Sequence, residues 1–285
     1  MARSSCCVLL AALCAFAGCE AAHNYTDPAG PRYAGTGAAA GALADDHVLR
    51  IVTFNIRFAR QVDKAIAVFQ RDRTLQNADI VALQEMDGPG VERMARALGL
   101  SYVYYPAAVH KTGKKDFGNA LLVRGIIEED RKLILPHKSR IRLMHRVAVA
   151  ATIRLPGGLR LRVYAVHLEA PGDLWPSQRY DQVKAVLDDA RGFPGPVVVA
   201  GDFNNRDRVG KTFQDDGYVW VSEALQRTIS FFGWDHVFVR GLPPGPWRAG
   251  VGRHGGASDH NPVWAELLPG PAAAVAGQPA PHLAR

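Results

Sequence analysis

The chain is nearly devoid of cysteine: it has 285 residues, and all four cysteines lie within the first nineteen. The rest of the chain can therefore form no internal disulfide and no thiolate metal site. After residue 20 it also lacks any apolar run near the roughly 20 residues that a membrane-spanning helix needs. These absences exclude a disulfide scaffold, a cysteine-based zinc protein and a multi-span membrane protein.

The first nineteen residues, MARSSCCVLLAALCAFAGC, combine one arginine, an apolar run and small residues. This pattern is typical of a secretory signal peptide. The end of the run, FAGC, resembles a bacterial lipobox, in which Cys19 would become the lipidated first residue. Ordinary cleavage after Ala21 or Ala22 is the alternative. Both interpretations predict export from a bacterial-type cell, to the periplasm, to the outside or, through a lipidated Cys19, to a membrane.

Two segments flank a more regular middle. Residues 20–46 and 269–285 are rich in alanine, glycine and proline and show little periodicity, which predicts a flexible tether and a flexible tail around one domain at 47–268. The net charge of +7 and the pI of about 9.4 suit an acidic partner such as nucleic acid. We expect a monomer.

Short apolar strands alternate with amphipathic helical segments inside this domain, and several strands are apolar on both faces. This mixture favours an α/β fold with two mixed sheets packed face to face and helices outside. The sequence predicts strands at residues 47–56, 79–86, 101–109, 118–125, 146–168 (a hairpin), 196–204, 234–241 and 261–268. It predicts helices at residues 62–74, 90–99 and 177–191.

Polar residues that a buried strand does not need occur at the ends of five strands. They are Asn55, Glu85, His167, the pair Asp202 and Asn204, and the run Ser258, Asp259 and His260. Taken singly, each is as readily a turn cap, a solvated strand end or a hydrogen-bonded core histidine. These ordinary interpretations do not predict all five in one chain, so we expect the five strand ends to form one cluster.

Such a cluster fits the cleavage of a phosphate ester. A hard divalent cation takes oxygen ligands, which Glu85 and Asn55 can supply. A histidine oriented by a carboxylate can deprotonate water, and donors such as His167, Asn204 and Arg146 can stabilise charge on phosphoryl oxygens. No cysteine is required for this chemistry.

The motifs in this order resemble the endonuclease/exonuclease/phosphatase superfamily, which includes DNase I-like nucleases, neutral sphingomyelinases and inositol-polyphosphate 5-phosphatases. The resemblance covers about residues 48–268 and implies a four-layer α/β sandwich. The motifs that carry it are TFNIR, ALQEMD, GNALLVR, AVHLEA, AGDFNNR, WDHVFV and ASDHNPV.

The resemblance also implies roles for individual residues. Glu85 would be the main ligand of Mg²⁺, with Asn55 beside it, and Mn²⁺ could substitute. His260 would be the general base, oriented by Asp259, to which some accounts of the family instead give a metal role.

Further positions follow from the same motifs. Asp202 would position the nucleophile or protonate the leaving group, and Asn204 would hold the phosphate. His167 would hydrogen-bond the scissile phosphate, with Asp235 orienting its ring. The resemblance also places Arg146 and Asn119 toward the substrate phosphate, although a purely structural role for Asn119 stays open.

The predicted function is therefore a Mg²⁺-dependent phosphodiesterase, with nucleic acid as the first choice of substrate. A phospholipid or sphingomyelin phosphodiesterase, or a phosphomonoesterase, on the same fold is the first alternative. It would need an apolar membrane-contact loop, for which SFFGW and PPGPW are the candidates. A catalytically inactive binding protein is the second alternative, although every expected catalytic residue type is present.

Overall fold

A computed structural model describes residues 21–38, 48–110, 114–242 and 245–267. The predicted signal peptide at 1–19 and the predicted tail at 269–285 lie outside these residues. Among the helices that are described, none is both long and apolar enough to cross a membrane.

Eight strands form the first sheet, in the order β1-β5-β6-β4-β3-β14-β13, with β2 also paired to β5. Only β3 and β4 run parallel among these pairs. The strands are β1 (Ala21–Asn24), β2 (Tyr33–Gly35), β3 (Leu49–Asn55), β4 (Ile80–Met86), β5 (Ser101–His110), β6 (Asp116–Val123), β13 (Trp247–Val251) and β14 (Val263–Leu267).

Six strands form the second sheet, in the order β11-β12-β10-β9-β8-β7. Here β9 and β10 are the parallel pair. The strands are β7 (Ile126–Ile134), β8 (Val147–Arg154), β9 (Arg160–His167), β10 (Val197–Asp202), β11 (Val219–Trp220) and β12 (Asp235–Arg240).

In the part of the chain that the structure describes, five helices cover the outer faces of the two sheets: α1 (Val62–Arg71), α2 (Arg73–Gln76), α3 (Gly88–Leu98), α4 (Pro176–Arg191) and α5 (Asp207–Asp215). The caps of α3 follow from its sequence. Asp87 accepts a hydrogen bond from the backbone N–H of Gly90 at 2.8 Å, and Gly99 ends the helix with φ at 71°.

The two sheets pack face to face through a layer of buried aliphatic side chains, among them Ile51, Leu121, Val163 and Val198. Separate apolar layers join the first sheet to α1 and α3, and the second sheet to α4 and α5. Each inner strand is thus covered on both faces, which is why it reads as a continuous apolar run. The predicted α/β sandwich of two mixed sheets flanked by helices is confirmed.

Strand direction explains why polar residues gather at one edge. The parallel pairs β3/β4 and β9/β10 end there, and the antiparallel neighbours β12 and β14 begin there. We call this edge, formed by the carboxyl ends of β3, β4, β9 and β10 and the starts of β12 and β14, the rim.

The prediction of a flexible tether over residues 20–46 is wrong for the part that is described. Strands β1 and β2 pair with β5, and the buried Lys132 donates to the carbonyls of Tyr25 at 3.1 Å and Gly30 at 2.5 Å. Arg32 also forms two hydrogen bonds to Asp130, at 2.7 and 2.6 Å. Residues 21–37 therefore belong to the domain, because they satisfy the open edge of β5 and a buried lysine.

Candidate active site

A buried carboxylate–imidazole pair lies at the rim. Asp235, at the start of β12, accepts a hydrogen bond from Nδ1 of His260 at 2.9 Å. Burial alone would lower the pKa of His260, but attraction by Asp235 and Asp202 outweighs it and raises this pKa to about 10. His260 is consequently an imidazolium at neutral pH in the chain without bound substrate or metal.

The predicted pairing of His260 with Asp259 is wrong. The side chain of Asp259 is 42% exposed and faces Arg57, with 3.4 Å between its Oδ2 and the guanidinium Nε. Adjacent side chains point in different directions, so Asp259 diverges from the ring while Asp235 approaches it from β12 of the facing sheet. The expectation that Asp235 orients His167 is wrong for the same reason, since Asp235 is bonded to His260.

Asp202 occupies the centre of the cluster. Its Oδ2 accepts from the amide of Asn55 at 3.1 Å, and Nε2 of His167 and Nε2 of His260 lie 3.5 and 3.6 Å from the same oxygen. Its Oδ1 accepts from the backbone N–H of Asn204 at 2.9 Å. Burial, reinforced by Asp235 and opposed by His260, raises the pKa of Asp202 to about 7.

Glu85 lies at the end of β4, in the sheet that faces the one carrying Asp202. The residue has φ at 59°, a conformation that non-glycine residues rarely adopt. One carboxylate oxygen accepts from the Asn55 amide at 3.2 Å, and the other accepts from the backbone N–H of Phe58 at 3.1 Å. Asn55 thereby bridges Glu85 and Asp202, which fixes two carboxylates side by side.

Arg146 holds the ring of His167 in one tautomer. A guanidinium nitrogen of Arg146 lies 3.1 Å from its Nδ1. Arginine can only donate, so Nδ1 accepts and the proton resides on Nε2. Burial and the charges of Arg146 and His260 keep the pKa of His167 well below its usual value. His167 is therefore a neutral ring whose Nε2–H points toward Asp202.

Arg146 is anchored by a carboxylate that sequence reasoning missed. Glu169 accepts two hydrogen bonds from it, at 3.1 Å from Nε and 2.8 Å from Nη2, and both side chains are buried to within 1%. The sequence carried one signal: Glu169 follows His167 by two residues, which is the spacing of side chains on the same face of a strand. The predicted phosphate contact of Arg146 is wrong, because its guanidinium is occupied by Glu169 and His167 beneath the rim.

The predicted phosphate contact of Asn119 is also wrong. Its amide donates to the carbonyl of Val147 at 2.7 Å, and the side chain is buried between the two sheets. Asn119 thus ties β6 to the second sheet. Asn204 is likewise buried, and its amide donates to the carbonyl of Leu168 at 3.0 Å. It differs from Asn119 because its backbone touches Asp202, which places it within the cluster.

The donor set of the cluster fits a hard divalent cation. The carboxylates of Glu85, Asp202 and Asp235 lie around the imidazolium of His260, and the buried Oδ1 of Asp235 has no hydrogen-bond partner among the described residues. Once His260 has lost its proton, Asp202, Asp235 and this ring also offer ligand atoms that all lie within 4.8 Å of one another. An excess of carboxylate oxygens over cationic groups is the environment that Mg²⁺ prefers.

Solved structures share this fold at low identity. An endonuclease/exonuclease/phosphatase from Beutenbergia cavernae superposes with a TM-score of 0.62 at 20% identity, covering 79% of this chain and 72% of that one. A humanised TDP2 of D. rerio gives 0.60 at 19% identity, covering 77% and 98%. D. rerio TDP2 complexed with a single-strand DNA product gives 0.58 at 20% identity, covering 78% and 99%.

A UPF0294 protein of Vibrio cholerae serotype O1 is 38% identical over 125 residues, which is 41% of this chain. The match spans 43% of the length of that relative. The model of the Endonuclease/Exonuclease/phosphatase family matches residues 52–260, which include every rim residue from Asn55 to His260. The chain therefore belongs to the Endonuclease/Exonuclease/phosphatase family.

Proposed function

We propose that the chain is a Mg²⁺-dependent phosphodiesterase that cleaves nucleic acid. The observation that carries this proposal is the arrangement around one oxygen, Oδ2 of Asp202. The neutral His167 and the cationic His260 both direct Nε2 at it, 3.5 and 3.6 Å away, and Asn55 ties it to Glu85. A substrate phosphate entering at this point would meet donors and a carboxylate together.

The pKa values of Asp202 and His260 suggest which of the two accepts a proton and which donates one. Asp202, whose pKa is about 7, is matched to take a proton from the attacking water near neutral pH. His260, held as an imidazolium by Asp235, would donate to the phosphate and to the leaving oxygen as the P–O bond breaks. In this assignment Asp202 takes the general-base role that the family resemblance implies for His260, and His260 takes the proton-donor role that it implies for Asp202.

His167 and the metal ligands complete the proposal. The Nε2–H of His167 would hydrogen-bond a phosphoryl oxygen and stabilise the charge that develops there. Glu85 and Asn55 would hold the cation. A bound Mg²⁺ or Mn²⁺ supplies Lewis-acid stabilisation of the same phosphoryl charge.

Two observations favour nucleic acid as the substrate. The net charge is +7, and non-specific nucleic-acid binding comes largely from phosphate contacts. One solved structure with the same fold, D. rerio TDP2, is complexed with a single-strand DNA product.

A lipid phosphodiester is the second candidate. The loop that carries Phe231 and Phe232 exposes 79% and 52% of these residues, and exposed aromatics next to a site are also the chemistry of a membrane-contact loop.

The test is a substrate panel with and without Mg²⁺: plasmid DNA, RNA, sphingomyelin, inositol phosphates and a simple aryl phosphodiester. His260→Ala should lower kcat roughly a hundredfold or more on whichever substrate is cleaved, the range expected for losing a positioned proton donor or acceptor. The matched control is His137→Ala, which removes another histidine hydrogen-bonded to an aspartate, Asp181 at 2.8 Å. Turnover that survives His260→Ala, or activity in excess chelator, would reject the proposal.

We further propose that the chain acts as an exported monomer. The support is the signal-peptide pattern of the first nineteen residues and, for a lipid anchor, the FAGC segment that ends at Cys19. Fractionation of the expressing cell, combined with gel filtration of the purified chain, tests both parts.

A further inference from the structure

The aromatic loop, residues 228–234, displays two phenylalanines beside the rim. Phe231 is 79% exposed and Phe232 is 52% exposed. Phe232 stacks on Trp234, with ring centroids 4.6 Å apart and planes 15° apart. One face of Phe232 is therefore covered by an aromatic ring while much of the residue remains open to solvent, where another planar ring can stack.

The loop is rigidly attached to the catalytic pair. The hydroxyl of Thr228 accepts from the backbone N–H groups of Trp234 at 3.0 Å and Asp235 at 3.1 Å. The carbonyl of Thr228 accepts from the backbone N–H of Asn261 at 2.7 Å, and Ile229 forms a backbone bridge with His260. The aromatic rings are thus positioned relative to Asp235 and His260 before any substrate arrives, which lowers the entropic cost of binding.

A groove of about 490 Å³ runs along the aromatic loop. Its wall includes Phe231, Phe232 and Trp234 from the loop and Asn204, which is two residues after Asp202. A strand bound in the groove would therefore lie close to a phosphate held at the rim.

Cations line the same groove. Arg206, Asp207 and Arg208 contribute to its wall, and Arg206 forms an ion pair with Asp207. Among the described residues no carboxylate lies within 4.0 Å of Arg208, whose guanidinium instead stacks on Tyr180 at 5.0 Å. Two arginines against one aspartate leave the wall of the groove with a net positive charge. An anion with planar rings complements such a surface.

We propose that Phe231 and Phe232 form a stacking platform for the bases of a single-stranded nucleic acid whose backbone phosphate is held by Arg208. The inference rests on the proposed function, because it supplies a substrate class for the same site. Stacking on aromatic rings tolerates any base, and the cationic groove follows the backbone, so the platform selects single strands without selecting a sequence.

The experiment measures binding rather than cleavage. Fluorescence anisotropy with the His260→Ala chain in chelator gives the Kd of a labelled oligothymidylate and of an abasic oligomer with the same number of phosphates. Adding Phe231→Ala should weaken oligothymidylate binding about 5- to 150-fold, the range for losing one stacked base, and leave the abasic oligomer unchanged. Tyr33→Ala, which removes a half-exposed aromatic side chain from β2, should change neither.

A second variant distinguishes base stacking from a nonspecific apolar contact. Phe231→Leu keeps an apolar side chain but removes the ring, so it should weaken oligothymidylate binding nearly as much as Phe231→Ala. Equal loss for the abasic oligomer, or no loss for either oligomer, would overturn the platform.

Membrane insertion predicts another outcome. Vesicles of phosphatidylcholine and phosphatidylserine would then sediment the wild-type chain and release Phe231→Ala, while oligonucleotide binding stayed unchanged; that result would also overturn the platform. Hydrolysis of the aryl phosphodiester by the wild-type chain tests the proposed function independently, because this substrate is too short to span the groove.

Discussion

The buried pair of Arg146 and Glu169 supports a quantitative prediction about stability and activity. Glu169→Gln removes the negative charge that balances the guanidinium of Arg146. It also replaces one carboxylate oxygen by an N–H₂ group, which faces the N–H donors of Arg146 and cannot accept from them. Arg146 is 1% exposed, so water cannot replace the lost partner. Breaking a buried pair in this way costs about 3–5 kcal/mol of the free energy of unfolding, which in a domain of this size lowers Tm by roughly 6–20 °C.

The control is Glu128→Gln on the edge of the same sheet. Glu128 also accepts from two arginines, Arg154 at 2.8 Å and Arg160 at 2.7 Å. The side chains of Arg154 and Arg160 are about half exposed and that of Glu128 is 24% exposed, so water screens these ion pairs and they stabilise weakly. Denaturant unfolding and calorimetry should show a clear drop for Glu169→Gln and almost no change for Glu128→Gln.

A double variant separates stability from function. Arg146→Met with Glu169→Leu replaces both charges by apolar side chains of similar size and should restore most of the stability. It should not restore activity, because Nδ1 of His167 has lost its donor and the ring its fixed tautomer. Misplacement of a catalytic group by about 1 Å costs roughly a hundredfold in rate. Equal Tm values for Glu169→Gln and Glu128→Gln, or full turnover by the double variant, would refute this reasoning.

Three further predictions concern the rim and the export signal. Asp235→Asn should lower the pKa of His260 in an NMR titration. Because the wild-type pKa is raised to about 10, the wild type should have a larger free energy of unfolding than the variant. This difference should be complete below about pH 6.5 and disappear as the pH rises through 10. Glu85→Gln should weaken Mn²⁺ binding, read by electron paramagnetic resonance, about tenfold or more, and an unchanged affinity would remove Glu85 from the metal site. If FAGC is a working lipobox, mass spectrometry should find a diacylated Cys19 at the mature N-terminus, whereas an unmodified start beyond residue 19 would show simple secretion.

Strand ends were predictable because they depend only on local pattern and chain direction. Asn55, Glu85, His167, Asp202 and His260 each stand where an apolar strand stops or starts, and parallel pairing is enough to bring such residues to one edge. The α/β sandwich followed from the same reasoning, since strands apolar on both faces need covering on both sides.

Side-chain partners were not predictable in the same way. His260 pairs with Asp235, 25 positions away, and not with the adjacent Asp259. The choice depends on where the loop before β14 crosses the start of β12, which no pattern of neighbouring residues encodes. The Arg146–Glu169 pair was hidden because its burial is a property of the packed sheets.

Elements at sheet edges were also missed. Strand β7, whose sequence is IIEEDRKLI, reads as a charged segment. Its charges are satisfied by tertiary partners: Glu128 by two arginines, and Lys132 by carbonyls of residues 25 and 30. The sequence does not show those partners, and charged residues on both faces of β7 hide the alternation of apolar and polar residues that identifies a strand.

The pairing of β1 with β5 determines where the chain enters the domain. Ala21 pairs with His110, and the ring of His110 lies 4.8 Å from that of Phe58 and 5.1 Å from that of Phe117. Phe117 in turn contacts the ring of His167 at 5.9 Å. Two residues extend about 7 Å, so a group attached at residue 19 would be held within that distance of residue 21, on the edge of the first sheet that carries β1. A purification tag placed there would therefore lie against the folded domain instead of at the end of a long tether.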